Sequence, residues 1–211
     1  MEKRPLIYII DDDLSVRDAL ADLMASVNYD VCSCASASEF LALIKEASGE
    51  ATGHPSCVIL DVRMPGIDGL ELQERLIELN VPVSIVFMTG HGDIPMTVKA
   101  MRAGATDFLE KPFRDYEMLR AVNNALEQSH AIIEKELLCK ELRKRYEALT
   151  TRERNLLDMV VDGQMNKQIA SDLHVSEISV KVYRREMMRK MGAESLVDLV
   201  KIEARLRKCK C

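Results

Sequence analysis

The 211-residue chain is short of several features that would each have fixed its class. No apolar run approaches the ~20 residues needed to span a bilayer as a helix. The opening MEKRPLIYII passes straight into a strand-like run and an acidic cluster, unlike a secretory leader. A cytoplasmic protein with no membrane partner is expected. There is no G-x-x-x-x-G-K-[ST] loop, so a nucleotide-driven enzyme lacks its phosphate cradle. The 4 histidines and 6 cysteines are scattered, with no zinc spacing among them. Cys32, Cys34, Cys57 and Cys139 read as small reduced residues, and Cys209-x-Cys211 is too isolated to form a metal site. Between Pro112 and Gly163 there is neither glycine nor proline, which excludes a flexible linker there.

What remains is an ordinary globular composition, 47% apolar and 30% charged, unevenly divided. Residues 1–128 hold 11 Lys/Arg against 21 Asp/Glu, whereas residues 129–211 hold 18 against 13. An acidic half suits a cation site and a basic half suits nucleic acid, so two domains with different partners are expected.

The acidic half is organised around CVILDVRMPGIDG, residues 57–69. Cys57 to Leu60 suit a buried parallel strand, and the run ends on Asp61 before the turn signals Pro65-Gly66 and Asp68-Gly69. Leu6 to Ile10 is a similar run ending in Asp11-Asp12-Asp13. Chemistry in open α/β sheets collects at the carboxyl ends of strands. Carboxylates converging there are costly without a cation, and an all-oxygen set favours Mg²⁺ over zinc. Val83 to Met88 ends on Thr89, and Asp107 to Leu109 ends at Glu110-Lys111. Carboxylates, a hydroxyl and a lysine at successive strand ends are the parts needed to handle a phosphoryl group. Between these strands lie helical patterns at 15–26, after a cap at Ser38, along Leu70, Leu72, Leu76 and Leu79, at 93–103 and at 116–128. Five βα units imply a doubly wound sheet of flavodoxin-like order.

In this order, Asp11-Asp12, Asp61, Thr89 and Lys111 resemble the receiver domain of two-component response regulators. The stretches LDVRMPGIDGLEL, TGHGDIPM and AGATDFLEKPF are similar to the FixJ-like subgroup. The resemblance implies that Asp61 is the phosphoacceptor for a sensor histidine kinase. Asp12, Asp61 and the Arg63 carbonyl would hold Mg²⁺, with Asp11 on the metal waters. Lys111 and Thr89 would bind the phosphoryl oxygens, and Phe108 stands at the switch-aromatic position. Arg63 and His91 would tune the lifetime of the phosphoryl group.

Residues 129–148 are rich in Glu, Lys, Leu and Arg and predict a helical linker. It is either a stiff spacer or a dimeric packing element, its apolar stripe being ragged for a coiled coil. Residues 149–211 read as four helices. Thr150 to Glu153 starts the first, Asn166 to Leu173 forms the second, Ser176 caps a third from Glu177 to Met191, and a fourth follows from Ser195 to Leu206. The second and third, joined by a tight turn, make a helix-turn-helix. Lys181, Arg184 and Arg185 project together from the third helix, as a major-groove reader requires. The string from Leu149 to Val200 resembles the LuxR-type DNA-binding domain. That resemblance implies double-stranded promoter DNA as partner, with Lys167, Ser176, Lys181, Tyr183, Arg184 and Arg185 at the interface. Tyr183 stands where the family commonly has histidine.

The expected protein is therefore a transcription regulator and not an enzyme: a receiver at 1–128, a helical linker and an all-α LuxR-type domain. Phosphorylation would drive homodimerisation and activation, RNA polymerase being a further partner, unless free receivers act instead by masking the basic helix. Two rivals are weaker. An aspartyl-phosphate hydrolase would carry a second acid two residues beyond Asp61, where Arg63 stands. A protein adaptor would bind no DNA in a salt-dependent way.

Overall fold

The computed structural model describes residues 4–46, 54–90 and 94–209, so His91 and Cys211 lie outside the described residues. The chain divides into two compact units, 1–134 and 135–211.

In the first unit, β1 (Leu6–Ile10), β2 (Asp30–Cys34), β3 (Ser56–Asp61), β4 (Ser84–Thr89) and β5 (Asp107–Glu110) form one sheet of order β2-β1-β3-β4-β5. Every pairing is parallel, and Ile10 lies opposite Leu60, placing the carboxyl ends of β1 and β3 side by side. The four residues Ile7 to Ile10 and all six of β4 are buried, because helices cover both faces of a parallel sheet. Those helices are α1 (Leu14–Ser26), α2 (Ala37–Glu46), α3 (Gly69–Glu78), α4 (Ile94–Arg102) and the first part of α5 (Asp115–Glu147). One core face gathers Tyr8, Ile10, Phe40, Leu60, Leu72 and Phe87, and the other Ile9, Met24, Ile59, Met88 and Met118.

Two expectations need correcting. Ser38 does not cap α2; the Ser36 hydroxyl accepts the Glu39 amide at 3.2 Å while Ser38 is exposed one position inside the helix. Leu79 does not join the apolar face of α3, because the helix ends at Glu78 and Leu79 turns outward as its cap. Residues 129–147 continue α5, a single helix of 33 residues, and the division into units falls after Glu134. In the first unit Ser129 is buried and accepts the Ser56 amide at 3.0 Å; in the second, Leu142 is buried and Arg145 donates to the Met191 carbonyl at 3.3 Å.

The second unit comprises the end of α5 with α6 (Thr151–Val161), α7 (Asn166–Asp172), α8 (Glu177–Met191) and α9 (Leu196–Lys208). Thr150 and Glu153 form a reciprocal capping box at the start of α6. Burial works against the Glu153 charge, but Lys190 at 2.7 Å and the Thr150 amide and hydroxyl hold its carboxyl below the ordinary range. Leu156, Leu157, Ile169, Val180, Met187 and Leu199 fill the core between these helices. Cys139 and Cys209 are joined as a disulfide, contrary to the expectation that Cys139 is reduced. Their separation of 70 residues hid the pairing, which depends on α9 returning to α5.

Gly69 opens α3 directly against the end of β3, its amide donating to the Val62 carbonyl at 2.9 Å. A Cβ there would overlap the Asp61 carbonyl oxygen and stand 3.0 Å from the Val62 Cα, and backbone cannot yield as a flexible side chain does. Gly69→Ala is therefore expected to cost about 1–3 kcal/mol, seen as a lower denaturation midpoint of the first unit. An unchanged midpoint would show that the β3–α3 approach is not fixed by the missing Cβ.

Candidate phosphoryl site and nucleic-acid interface

Two carboxylates meet at the carboxyl edge of the sheet. Asp11, 1% exposed, follows β1, and Asp61, 6% exposed, ends β3. Lys111, just past β5, spans them: its Nζ donates to Asp11 Oδ2 and to Asp61 Oδ1, each at 2.7 Å. Its own backbone is fixed by a hydrogen bond that the Lys111 amide donates to the Thr89 carbonyl at 2.7 Å. The outer carboxylate oxygens accept backbone amides, Asp11 from Asp13 at 2.9 Å and Asp61 from Arg63 at 2.8 Å. The like charges thus share an ammonium, which answers part of the electrostatic problem that the sequence assigned to a metal.

Burial pushes the Asp61 carboxyl above the ordinary carboxylate range; the Lys111 hydrogen bond and charge oppose the shift, and the Asp11 charge adds to it. Burial lowers Lys111, but its two carboxylate partners outweigh that and hold the ammonium above its ordinary value. One cation divided between two acids explains why Lys111 is strengthened while Asp61 is not.

Thr89 is buried at the end of β4. Phe108, on β5, is half-buried with its ring centroid 6.0 Å from that of Phe87. The structure therefore gathers Asp11, Asp61 and Lys111, with Thr89 on the neighbouring strand end. Asp12 and Arg63 stay exposed, and among the described residues no three Asp, Glu, His or Cys side chains form a metal cage. The donors still fit a hard cation, because Mg²⁺ commonly takes one or two carboxylates and completes its shell with water.

In the second unit α7 and α8 are joined through His174, whose φ of 51° lets the chain reverse within the turn. Ser176 caps α8, its Oγ accepting the Ser179 amide at 3.1 Å. Lys167, Lys181 and Arg185 are exposed. Arg184 is part-buried, donating to Asn166 Oδ1 at 3.1 Å, and half-buried Tyr183 packs against the core of the unit. Ile178 and Val182, 76% and 55% exposed, were missed by sequence reasoning. They share the open face with Lys181 and Arg185 at i, i+3, i+4 and i+7, a signal visible in the string itself.

Residues 7–123 match the family described as response regulator receiver domain, and residues 147–202 that of bacterial regulatory proteins, luxR family. The chain belongs to the response regulators. Nodulation protein W of Bradyrhizobium diazoefficiens is 43% identical over 203 residues, covering 96% of this chain and 87% of that protein. The transcriptional regulatory protein FixJ of the same organism is 39% identical over 199 residues, covering 94% of each. A low-resolution structure of the response regulator StyR superposes with a TM-score of 0.83 at 38% identity, covering 96% of this chain and all of that one. This response regulator is thus a transcription regulator with a receiver and a LuxR-type DNA-binding unit, and not an enzyme. No helix among the described residues is long and apolar enough to cross a membrane.

The shared ammonium predicts how Asp61 titrates. Its folded pKa lies above its unfolded one, so the folded chain holds that proton more tightly. Stability accordingly falls as pH rises from the ordinary carboxylate range through the raised folded value. Asp11→Asn removes one raising charge and leaves Lys111 to Asp61 alone. Carboxyl-carbon NMR in magnesium-free buffer should then find Asp61 titrating at lower pH than in the wild type. An unmoved midpoint would assign the whole shift to burial.

Proposed function

We propose that this response regulator is switched by phosphorylation of Asp61 and, once dimeric, binds promoter DNA through α8. The observation that carries the reading is the Lys111 ammonium held 2.7 Å from both Asp11 and Asp61 at the mouth of the sheet. An Asp61 oxygen attacks the phosphorus of a sensor kinase's phosphohistidine, the P–N bond breaks, and the imidazole leaves with a proton. Lys111 stays with the transferred group, whose charge of about −1.5 to −2 replaces a single carboxylate charge. Asp12, Asp61 and the Arg63 carbonyl would hold Mg²⁺ with support from Asp11, and the ion would supply positive charge to the phosphoryl oxygens. Thr89 binds one of those oxygens, and Phe108 repacks on the β5 side. Arg63 and His91 tune how long the phosphoryl group survives.

Dimerisation through the α4 side is supported by its exposed apolar stripe. Ile94, Val98 and Met101 are 81%, 41% and 42% exposed and fall at i, i+4 and i+7. At the DNA, Lys181, Arg185 and Lys167 meet phosphates or base edges, while Ile178 and Val182 offer apolar surface suited to thymine methyl groups. Ser176 sets the start of α8, Arg184 braces α8 on α7, and Tyr183 packs behind them. The protein acts in the bacterial cytoplasm and activates transcription with RNA polymerase.

Two measurements test this reading. With Mg²⁺ and beryllofluoride, a stable phosphoryl mimic, the wild type should dimerise and gain promoter affinity by about 10²–10⁴-fold, and Asp61→Asn should do neither. Equal affinity of both proteins under both conditions would uncouple the site from DNA. Separately, Lys181→Ala with Arg185→Ala should lessen the slope of log affinity against log salt by roughly 0.9 for each phosphate no longer neutralised. An unchanged slope would show that α8 does not bind the phosphates.

A further inference from the structure

The two described cysteines outside the receiver unit are the ones joined to each other, and their setting differs from that of the remaining thiols. Cys34 and Cys57 are buried in the sheet; burial pushes Cys57 far up and, with the neighbouring Cys32, Cys34 to about 12, which leaves them unreactive. Cys139, near the end of α5, and Cys209, the cap of α9, are both half-exposed, with Cα atoms 5.6 Å apart. The Arg143 guanidinium, one turn after Cys139, donates to the Cys209 carbonyl, and Lys135 lies one turn before Cys139 on the same helix. Glu136 is the acidic residue one turn before Cys139. An accessible thiol in an electropositive setting is the reactive kind. A DNA-binding protein also works where most thiols are kept reduced, and disulfides that form there are mainly transient and redox-sensing.

We infer that Cys139 and Cys209 form a reversible thiol-oxidation site for hydroperoxides, independent of Asp61, which braces the DNA-binding unit when closed. The chemistry balances with hydrogen peroxide as oxidant. One thiolate attacks the O–O bond and becomes a sulfenic acid, releasing hydroxide that takes up the thiol proton as water. The second thiol displaces the sulfenic oxygen as a further water, and the S–S bond forms. Two thiols and one peroxide thereby give one disulfide and two waters, and an external dithiol reverses the change by taking the oxidation onto itself. The bond closes a loop spanning 70 residues that contains the whole of α6, α7 and α8. Closing so long a loop narrows the unfolded ensemble of that unit without touching the recognition face.

The test uses the full-length chain as wild type, C139S, C209S and C211S. Each is reduced with dithiothreitol, exposed to micromolar hydrogen peroxide, alkylated, and analysed by peptide mass spectrometry and thermal unfolding. In the wild type and C211S, peroxide should link Cys139 to Cys209 and raise the melting of the second unit by about 10 °C or more. Melting of the receiver should be unchanged, and neither C139S nor C209S should respond. Dithiothreitol should return both thiols under native conditions. The inference is overturned if peroxide leaves the two thiols free to alkylate, or if Cys209 pairs with Cys211 instead. Melting that does not respond to the bond, or a bond that resists dithiothreitol in the folded protein, would equally overturn it.

Discussion

The receiver depends on one cation shared by two buried acids. Two carboxylates at adjacent strand ends, almost out of solvent, would each drive the other toward neutrality if left alone. Lys111 prevents this by lying 2.7 Å from both. The strand ends can approach because their backbones are paired in register from Leu6 opposite Ser56 to Ile10 opposite Leu60. Lys111 reaches them because its amide is tied to the end of β4. On the proposed reading the same ammonium stands where the charge of a phosphoryl group on Asp61 would develop, so little reorganisation would be needed.

What was legible in the string was whatever one element states by itself. Buried parallel strands are near-continuous apolar runs, so their ends, and with them Asp11, Asp61, Thr89 and Lys111, could be read directly. The caps at Thr150 and Ser176 were legible for the same reason, because a cap is decided within four residues. Features set by tertiary approach were not legible. Ser36 and Ser38 offer the same chemistry to α2, and the side chain that caps it is decided by where β2 releases the chain. Arg184 looks as free as Arg185 on a helical wheel, but Asn166 on α7 engages its guanidinium.

The division of labour between the two units follows from where each carries its charge. In the receiver the decisive charges are buried, so each is worth more than at the surface and responds to a change of one or two units nearby. In the DNA-binding unit Lys167 and, on α8, Lys181 and Arg185 are exposed, where charges are cheap to hold. Its one largely buried ion pair among the described residues, Glu153 with Lys190, couples the start of α6 to the end of α8 and so contributes to the fold of the unit.

This arrangement bears on how a change at Asp61 can alter gene occupancy without reshaping the reading head. A single α8 presents a short open face, with Ile178, Lys181, Val182 and Arg185 as its exposed members, too little surface for a tight specific complex. Two copies held together convert the second binding step into an intramolecular event, and affinity then rises through effective concentration while the reading face stays as it was. A receiver that changes only its tendency to self-associate can therefore control occupancy while α8 keeps one structure throughout. On the proposed reading α8, capped by Ser176 at its start and by left-handed Gly192 at its end, needs no rearrangement of its own for occupancy to change.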